Sequence, residues 1–197
     1  MSEPSSSSVQ FLLSDIDGTL LCRDHSLSQA NIEAIRRLRQ AGIHFTLASS
    51  RPPRAMRQVI EALGVDLPTV AFNGGTITHP DGSLLAAHRI DPAAVRTCLE
   101  LFAGHNVGIW VFADDQWLLL DPGADYVDHE RDALGYDYVQ VESFEPYLDR
   151  VDKIVAASAD FELLKTLESQ LNPQIEGLAL AARSQKYYLD VTALDAN

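Results

Sequence analysis

Two aspartates one residue apart close an apolar stretch, Phe11 to Leu20 (FLLSDIDGTL), and Gly18 and Thr19 follow at once. Strand side chains alternate between faces, so Asp15 and Asp17 point to the same side of any strand that continues through them. Two carboxyl groups so close repel. One of them holds its proton more tightly unless a cation or hydrogen-bond donors compensate. A pair of this kind at a strand tip is a place for carboxylate chemistry. Taken alone, the decapeptide fits equally well an Asp-Gly turn leaving a strand, so the surrounding elements have to decide.

Those elements repeat a pattern. After a loop from Leu21 to Leu27, Ser28 is an N-cap for a helix whose Ile32, Ile35, Leu38 and Ala41 form one apolar stripe ending at Gly42. Ile43 to Ala48 has strand composition, Ser49-Ser50-Arg51 closes it, and Pro52-Pro53 opens a helix with Met56, Val59, Ile60 and Leu63 inward, up to Gly64. A third strand, Thr69 to Phe72, ends in Asn73-Gly74-Gly75. Strands alternating with amphipathic helices predict a parallel sheet with right-handed crossovers. In such a sheet the strands end on a common edge, where ligands collect. Asp15, Asp17, Ser49, Arg51 and Asn73 all fall at or just beyond strand ends. Three polar ends on one edge are much harder to assign to chance than one Asp-Gly turn. Ser49 and Ser50 also precede a helix whose free N–H groups favour an anion. Either serine alone reads as a cap; beside the aspartates, anion binding is favoured.

From about Pro80 the pattern changes. Asp91-Pro92 starts a helix with Val95, Leu99 and Phe102 inward, and Val107 to Phe112 and Trp117 to Leu120 flank a hairpin turn, Ala113 to Gln116. Tyr126 to Tyr147 is acidic, aromatic and poorly periodic. Lys153 to Ser158 reads as a strand, Asp160 caps a helix with Phe161, Leu164, Leu167 and Leu171, and Ile175 to Ala182 and Tyr187 to Val191 are two more strands. This is an α+β insertion. Asp128, His129, Glu130 and Asp132 include metal-ligand types but read as a solvated acidic face, and Trp110 and Trp117 as packing residues.

Composition narrows the partners. With 15 Lys and Arg against 28 Asp and Glu, the net charge of -13 opposes nucleic acid. Two cysteines, Cys22 and Cys98, are too few for a disulfide framework or a thiolate zinc site, which fits a reducing cytoplasm. No apolar run approaches the roughly 20 residues of a membrane span, and Met1 to Ser8 lacks the features of a secretory signal. No G-x-S-x-G, phosphate-binding G-x-x-x-x-G-K or EF-hand pattern is present.

Asp15-Ile16-Asp17-Gly18-Thr19-Leu20 resembles the first motif of the haloacid dehalogenase superfamily of phosphotransferases, and the chain is similar throughout to its Cof-type sugar-phosphate phosphatases. The resemblance implies an α/β fold: a Rossmann-like parallel sheet core, incomplete in this chain, with an inserted α+β cap. It divides the chain into residues 1–78 of the core, 79–188 of the cap, and 189–197 returning toward the core. It implies that Asp15 is the nucleophile that becomes aspartyl-phosphate and that Asp17 protonates the leaving oxygen and later activates water. Mg2+ would be held by the Asp15 carboxylate and the Asp17 backbone carbonyl. Gly18, Thr19, Ser49, Ser50, Arg51 and Asn73 would surround the phosphate of a small phosphorylated metabolite.

Two departures stand out. Ser50 replaces the family's usual glycine, which alters close approach of backbone to phosphate. The family's later motifs, a lysine and a further acidic cluster, have no counterpart before Asn197; Lys153, Lys165 and Lys186 all fall in the cap-like region. The sequence thus reads as a truncated member, with Phe11 to Ser14 expected as an exposed edge that either self-associates or meets a separate C-terminal fragment. A non-catalytic phosphate- or partner-binding module and a phosphomutase-like transferase are the alternatives.

Overall fold

A computed structural model of the chain describes residues 9–196. Strand β1 (Phe11–Ser14) pairs in parallel with β2 (His44–Leu47), Phe11 opposite His44 and Ser14 opposite Leu47. Helix α1 (Gln29–Gln40) makes the crossover between them. Its first turn has donors with no intrahelical partner, and the Ser28 side chain accepts one, from the Asn31 N–H. Helix α2 (Pro53–Leu63) starts on a proline, whose missing N–H costs nothing there, and stops at Gly64, where φ is +62°. It buries Met56, Val59, Ile60 and Leu63. Strand β3 (Thr69–Ala71) meets β2 through the parallel bridge Ala48 to Val70. The three strands therefore run one way and end together. Among the described residues β1 pairs only with β2, and Phe11, Leu12 and Leu13 are exposed.

The chain next turns back antiparallel through β4 (Thr76–Thr78) and β5 (Leu84–Ala87), two strands too short to show a period in the sequence. Helix α3 (Pro92–Ala103) is capped by Asp91, which accepts from the Ala93 N–H. Strands β6 (Gly108–Ala113) and β7 (Gln116–Leu119) form the expected hairpin. Its two central residues, Asp114 and Asp115, both have positive φ, at 53° and 59°, the backbone that lets a two-residue turn follow the strand twist. The aperiodic stretch holds helix α4 (Val127–Leu134), which buries only its two end residues and so leaves almost no stripe to read. Strand β8 (Val139–Gln140) follows. Then come β9 (Val151–Ala157), helix α5 (Phe161–Leu171) capped by Asp160, β10 (Ala179–Gln185) and β11 (Tyr188–Ala193).

Six of these strands form one sheet in the order β10-β11-β9-β6-β7-β8, antiparallel except between β7 and β8. The expected return segment 189–197 is occupied through Ala193 by β11, which lies between β10 and β9 inside this sheet. Alternation along the strands sends Val111, Leu118, Ile154, Ala156, Leu189 and Val191 to one face, packed with Phe102 of α3 and Leu164 and Leu167 of α5. The other face carries Trp110, Phe112, Trp117, Val155 and Tyr188, which share a core with Met56 and Phe72 of the opening units. Phe72 and Phe112 touch with ring centroids 5.7 Å apart.

Candidate active site

The loop after β1 is built around one anchor. Ile16 is fully buried between two exposed aspartates, and its carbonyl accepts from the N–H groups of both Leu20 (2.9 Å) and Leu21 (3.0 Å). That turn requires a left-handed residue, and Gly18 supplies it with φ of +75°. Burying Ile16 and closing the turn leaves Asp15 and Asp17 displayed at the strand tip. The Thr19 hydroxyl donates to Asp15 Oδ2 at 3.1 Å. Asp17 is gripped at both oxygens by the Arg51 guanidinium, with Nε to Oδ2 and Nη2 to Oδ1 both at 2.7 Å. This fork-to-fork geometry is the strong form of the carboxylate–arginine bond.

Backbone hydrogen bonds lace the three strand ends into one edge. The Ala48 N–H donates to the Ser14 carbonyl, Ser49 N–H to Val70, Phe72 N–H to Arg51, and Asn73 N–H to Ser49, all between 2.9 and 3.1 Å. Ser49 is buried, and its hydroxyl accepts from the Arg51 N–H at 3.1 Å. Phe72 and Asn73 hold positive φ of 49° and 56°, so the chain bends sharply as it leaves β3. The structure thus brings Asp15, Asp17, Gly18, Thr19, Ser49, Arg51 and Asn73 to one edge. Ser50 is exposed beside them and makes no side-chain hydrogen bond among the described residues.

Sequence reasoning missed five residues around this edge: His25, Arg54, Arg57, Asp115 and Tyr136. His25, with φ of +61°, brings Nδ1 to 3.7 Å from Asp17 Oδ1. Asp115, at the β6–β7 turn, accepts from the Arg54 N–H at the start of α2 (3.2 Å) and pairs with Arg57 Nη2 (2.9 Å), tying the six-stranded sheet to the opening units. Desolvation raises the Asp115 carboxyl above its ordinary range, against the pull of Arg57. The Arg54 guanidinium lies 4.5 Å from the centroid of the Tyr136 ring. The spacing Arg51, Arg54, Arg57 on the start of one helix was the available signal. The solvated acidic face expected at Asp128 to Asp132 is corrected at Glu130, which is half-buried: burial raises its carboxyl, against the pull of Lys153.

No group of three or more metal-ligating side chains occurs among the described residues. Mg2+ is commonly held by only one or two carboxylates, with waters and substrate phosphate filling the shell. Asp15 fits that use, since it is exposed and Thr19 occupies only one of its oxygens.

A parallel sheet that displays two aspartates, a buried serine and an arginine at its strand ends belongs to the class of α/β folds that act on ligands at that edge. The model of the haloacid dehalogenase-like hydrolase family matches residues 12–197, and the chain belongs to that family. It is 34% identical over 104 residues to the HMP-PP phosphatase of Cronobacter sakazakii, an alignment covering 53% of this chain and 38% of that protein. A haloacid dehalogenase-like hydrolase from Bacteroides thetaiotaomicron superposes with a TM-score of 0.86 at 21% identity, over 95% of this chain and 72% of that one. A sugar phosphatase of haloacid dehalogenase subclass IIB superposes with a TM-score of 0.78 at 19% identity, over 94% and 70% of the two chains. These superpositions share the fold, a mixed α/β arrangement with a parallel sheet. No helix among the described residues is long and apolar enough to cross a membrane.

Proposed function

We propose that the protein is a Mg2+-dependent phosphatase of small phosphorylated metabolites, such as sugar phosphates, working through an aspartyl-phosphate. The observation that carries the reading is the displayed pair Asp15 and Asp17 on the edge shared with Ser49 and Arg51. Family membership supports it. The six-stranded sheet with its helices is read as the cap over this edge.

In this reading an Asp15 oxygen attacks phosphorus and the bond from phosphorus to the leaving oxygen breaks, while Asp17 gives that oxygen a proton. Water then attacks the phosphorus, Asp17 takes the water's proton, and Asp15 is released with inorganic phosphate. Asp15 and the Asp17 carbonyl would hold Mg2+, which would supply the positive charge that lets two anions approach. The bidentate Arg51 contact takes one lone pair on each oxygen of Asp17 and so competes with a proton there. A phosphate dianion offers Arg51 a competing partner of the same geometry. Ser49 and Thr19 lie within the same edge as further donors.

The test is phosphate release from an aryl phosphate with Mg2+. Asp15→Asn is expected to abolish turnover, because an amide is a far poorer nucleophile. Asp17→Asn is expected to slow it by about a hundredfold or more while a beryllofluoride phosphate mimic still binds. Wild-type rates in Asp15→Asn would refute the nucleophile. Phosphate binding without turnover in the wild type would replace this reading with a non-catalytic phosphate-binding module.

A further inference from the structure

Beside the aspartate edge, between α2 and the end of α4, lies a cavity of about 610 Å³. It lies next to Asp17: Arg51 and His25, the two side chains that meet the Asp17 carboxylate, both line the cavity. Under the reading above, the group that receives the proton is the leaving oxygen, so this cavity is where the rest of the substrate lies.

Three arginines spaced three apart line it, Arg54 and Arg57 on α2 and Arg51 just before that helix. Two are occupied. Arg51 binds Asp17 through two bonds, and Arg57 binds Asp115. Arg54 makes no ion pair among the described residues, although Asp115 feels its charge. Its guanidinium carbon lies 4.5 Å from the centroid of the Tyr136 ring, a cation–π contact that consumes none of its five N–H donors. The Tyr136 hydroxyl is itself buried and has no hydrogen-bond partner. The acidic residues of the lining do not answer Arg54: Asp24 is turned to Ser26, accepting from its N–H at 3.1 Å and its hydroxyl at 2.6 Å, and Asp132 stands on α4 across the cavity. In a chain of net charge -13, this leaves a guanidinium with no ion pair among the described residues, over a ring whose hydroxyl has no hydrogen-bond partner.

We propose that the Arg54–Tyr136 wall is a second anion subsite, which takes a carboxylate or a further phosphate on the leaving group. The substrate is then a phosphate monoester with a second anionic group. This rests on the phosphatase reading for which end of the substrate enters the cavity, but the subsite itself is a binding site that can be measured without turnover.

The test uses matched pairs: fructose 1,6-bisphosphate against fructose 6-phosphate, and 3-phosphoglycerate against glycerol 3-phosphate. For each member, kcat/KM is measured by phosphate release and Kd by calorimetry. The wild type is expected to prefer the doubly anionic member of at least one pair. Arg54→Gln is expected to cut that preference by about ten- to a hundredfold, as loss of hydrogen bonds to a charged group does. Arg54→Lys should restore part of it, and Arg57→Gln, which breaks the Asp115 contact instead, should affect both members alike. Arg54 is exposed, so the substitution leaves the fold intact, and a thermal melt checks this. A wild type that does not distinguish the members, or an unchanged ratio in Arg54→Gln, overturns the subsite. If no ester turns over, the phosphatase reading fails, and the Kd ratios decide the subsite alone.

Discussion

The two faces of the six-stranded sheet are made by alternate residues of the same strands, yet their chemistry differs. Toward α3 and α5, the face is aliphatic and closed: Val111, Leu118, Ile154, Ala156, Leu189 and Val191 are all buried against Phe102, Leu164 and Leu167. Even the thiol there is silenced, since burial pushes Cys98 up to about 12, far from any reactive thiolate. Toward the aspartate edge, the face is aromatic and polar. Trp110 and Trp117 meet edge to face at 5.5 Å, with both indole N–H groups buried and unpartnered. Lys153 and Asp190 form a buried ion pair at 2.6 Å, and Glu130 of α4 feels the charge of both. Buried charges and orphaned donors cost free energy that aliphatic packing avoids. The difference teaches that the sheet is held together by its α3–α5 face, while the face beside the site retains groups that stability alone does not favour.

The contrast breaks most directly at Lys153. It pairs with Asp190 at 2.6 Å and acts on Glu130, whose proton affinity burial raises and Lys153 opposes. Lys153→Met leaves Asp190 buried without its ion pair and removes the charge that opposes protonation of Glu130, and a loss of about 3–5 kcal/mol in urea denaturation at neutral pH is expected. Replacing all three together, as Glu130→Gln, Lys153→Met and Asp190→Asn, is expected to recover most of that loss. A neutral effect of Lys153→Met would mean that the charges on this face stand in water, and the two faces would no longer differ in kind.

That ion pair also marks the limit of what the sequence reveals. Caps are local, so Ser28, Asp91 and Asp160 announce α1, α3 and α5, and Gly64 announces the end of α2. The gathering of Asp15, Asp17, Ser49, Arg51 and Asn73 follows from strand direction alone, because parallel strands share an edge. Strands of two to four residues, such as β8, β4 and β5, carry too few side chains to show alternation. Contacts between distant segments are harder still. Asp115 with Arg57 and Arg54 with Tyr136 depend on how the sheet sits over α2, which no local pattern records.

A second, smaller effect sharpens the comparison where the sheet meets β4 and β5. Under the β6–β7 turn, Asp152 lies in a cavity of about 250 Å³, 3.8 Å from Arg89. Desolvation raises its carboxyl to about 6, against the pull of Arg89. An acid with a raised value binds its proton more tightly in the folded state. Its contribution is therefore fullest below the unfolded value near 4, falls as pH rises toward about 6, and is constant above that. Two units correspond to roughly 3 kcal/mol. Relative to the wild type, Asp152→Asn is thus expected to gain stability by up to about that amount between pH 4 and 7. Denaturation curves at several pH values measure the difference, and parallel stabilities across the range would show that Asp152 is solvated.

The smallest effect separates the faces at a single peptide bond. Ile154 and Val155 are neighbours on β9, but Ile154 packs with Leu164 and Leu167, whereas Val155 stands opposite Trp110 on the site face. Ile154→Val removes one buried methylene from the aliphatic side and is expected to cost about 0.5–1.5 kcal/mol. Because that side touches nothing on the aspartate edge, kcat/KM for an aryl phosphate should be unchanged within error. Val155→Ala opens space beneath Trp110, whose indole already lacks a partner and whose ring packs on Tyr188 at 5.1 Å. Its expected mark is kinetic as well as thermodynamic, a change in KM accompanying the loss of stability. If both substitutions move KM, the α3–α5 side is coupled to the site through the sheet. If neither does, the aromatic face is packing alone, and its buried polar groups need another explanation.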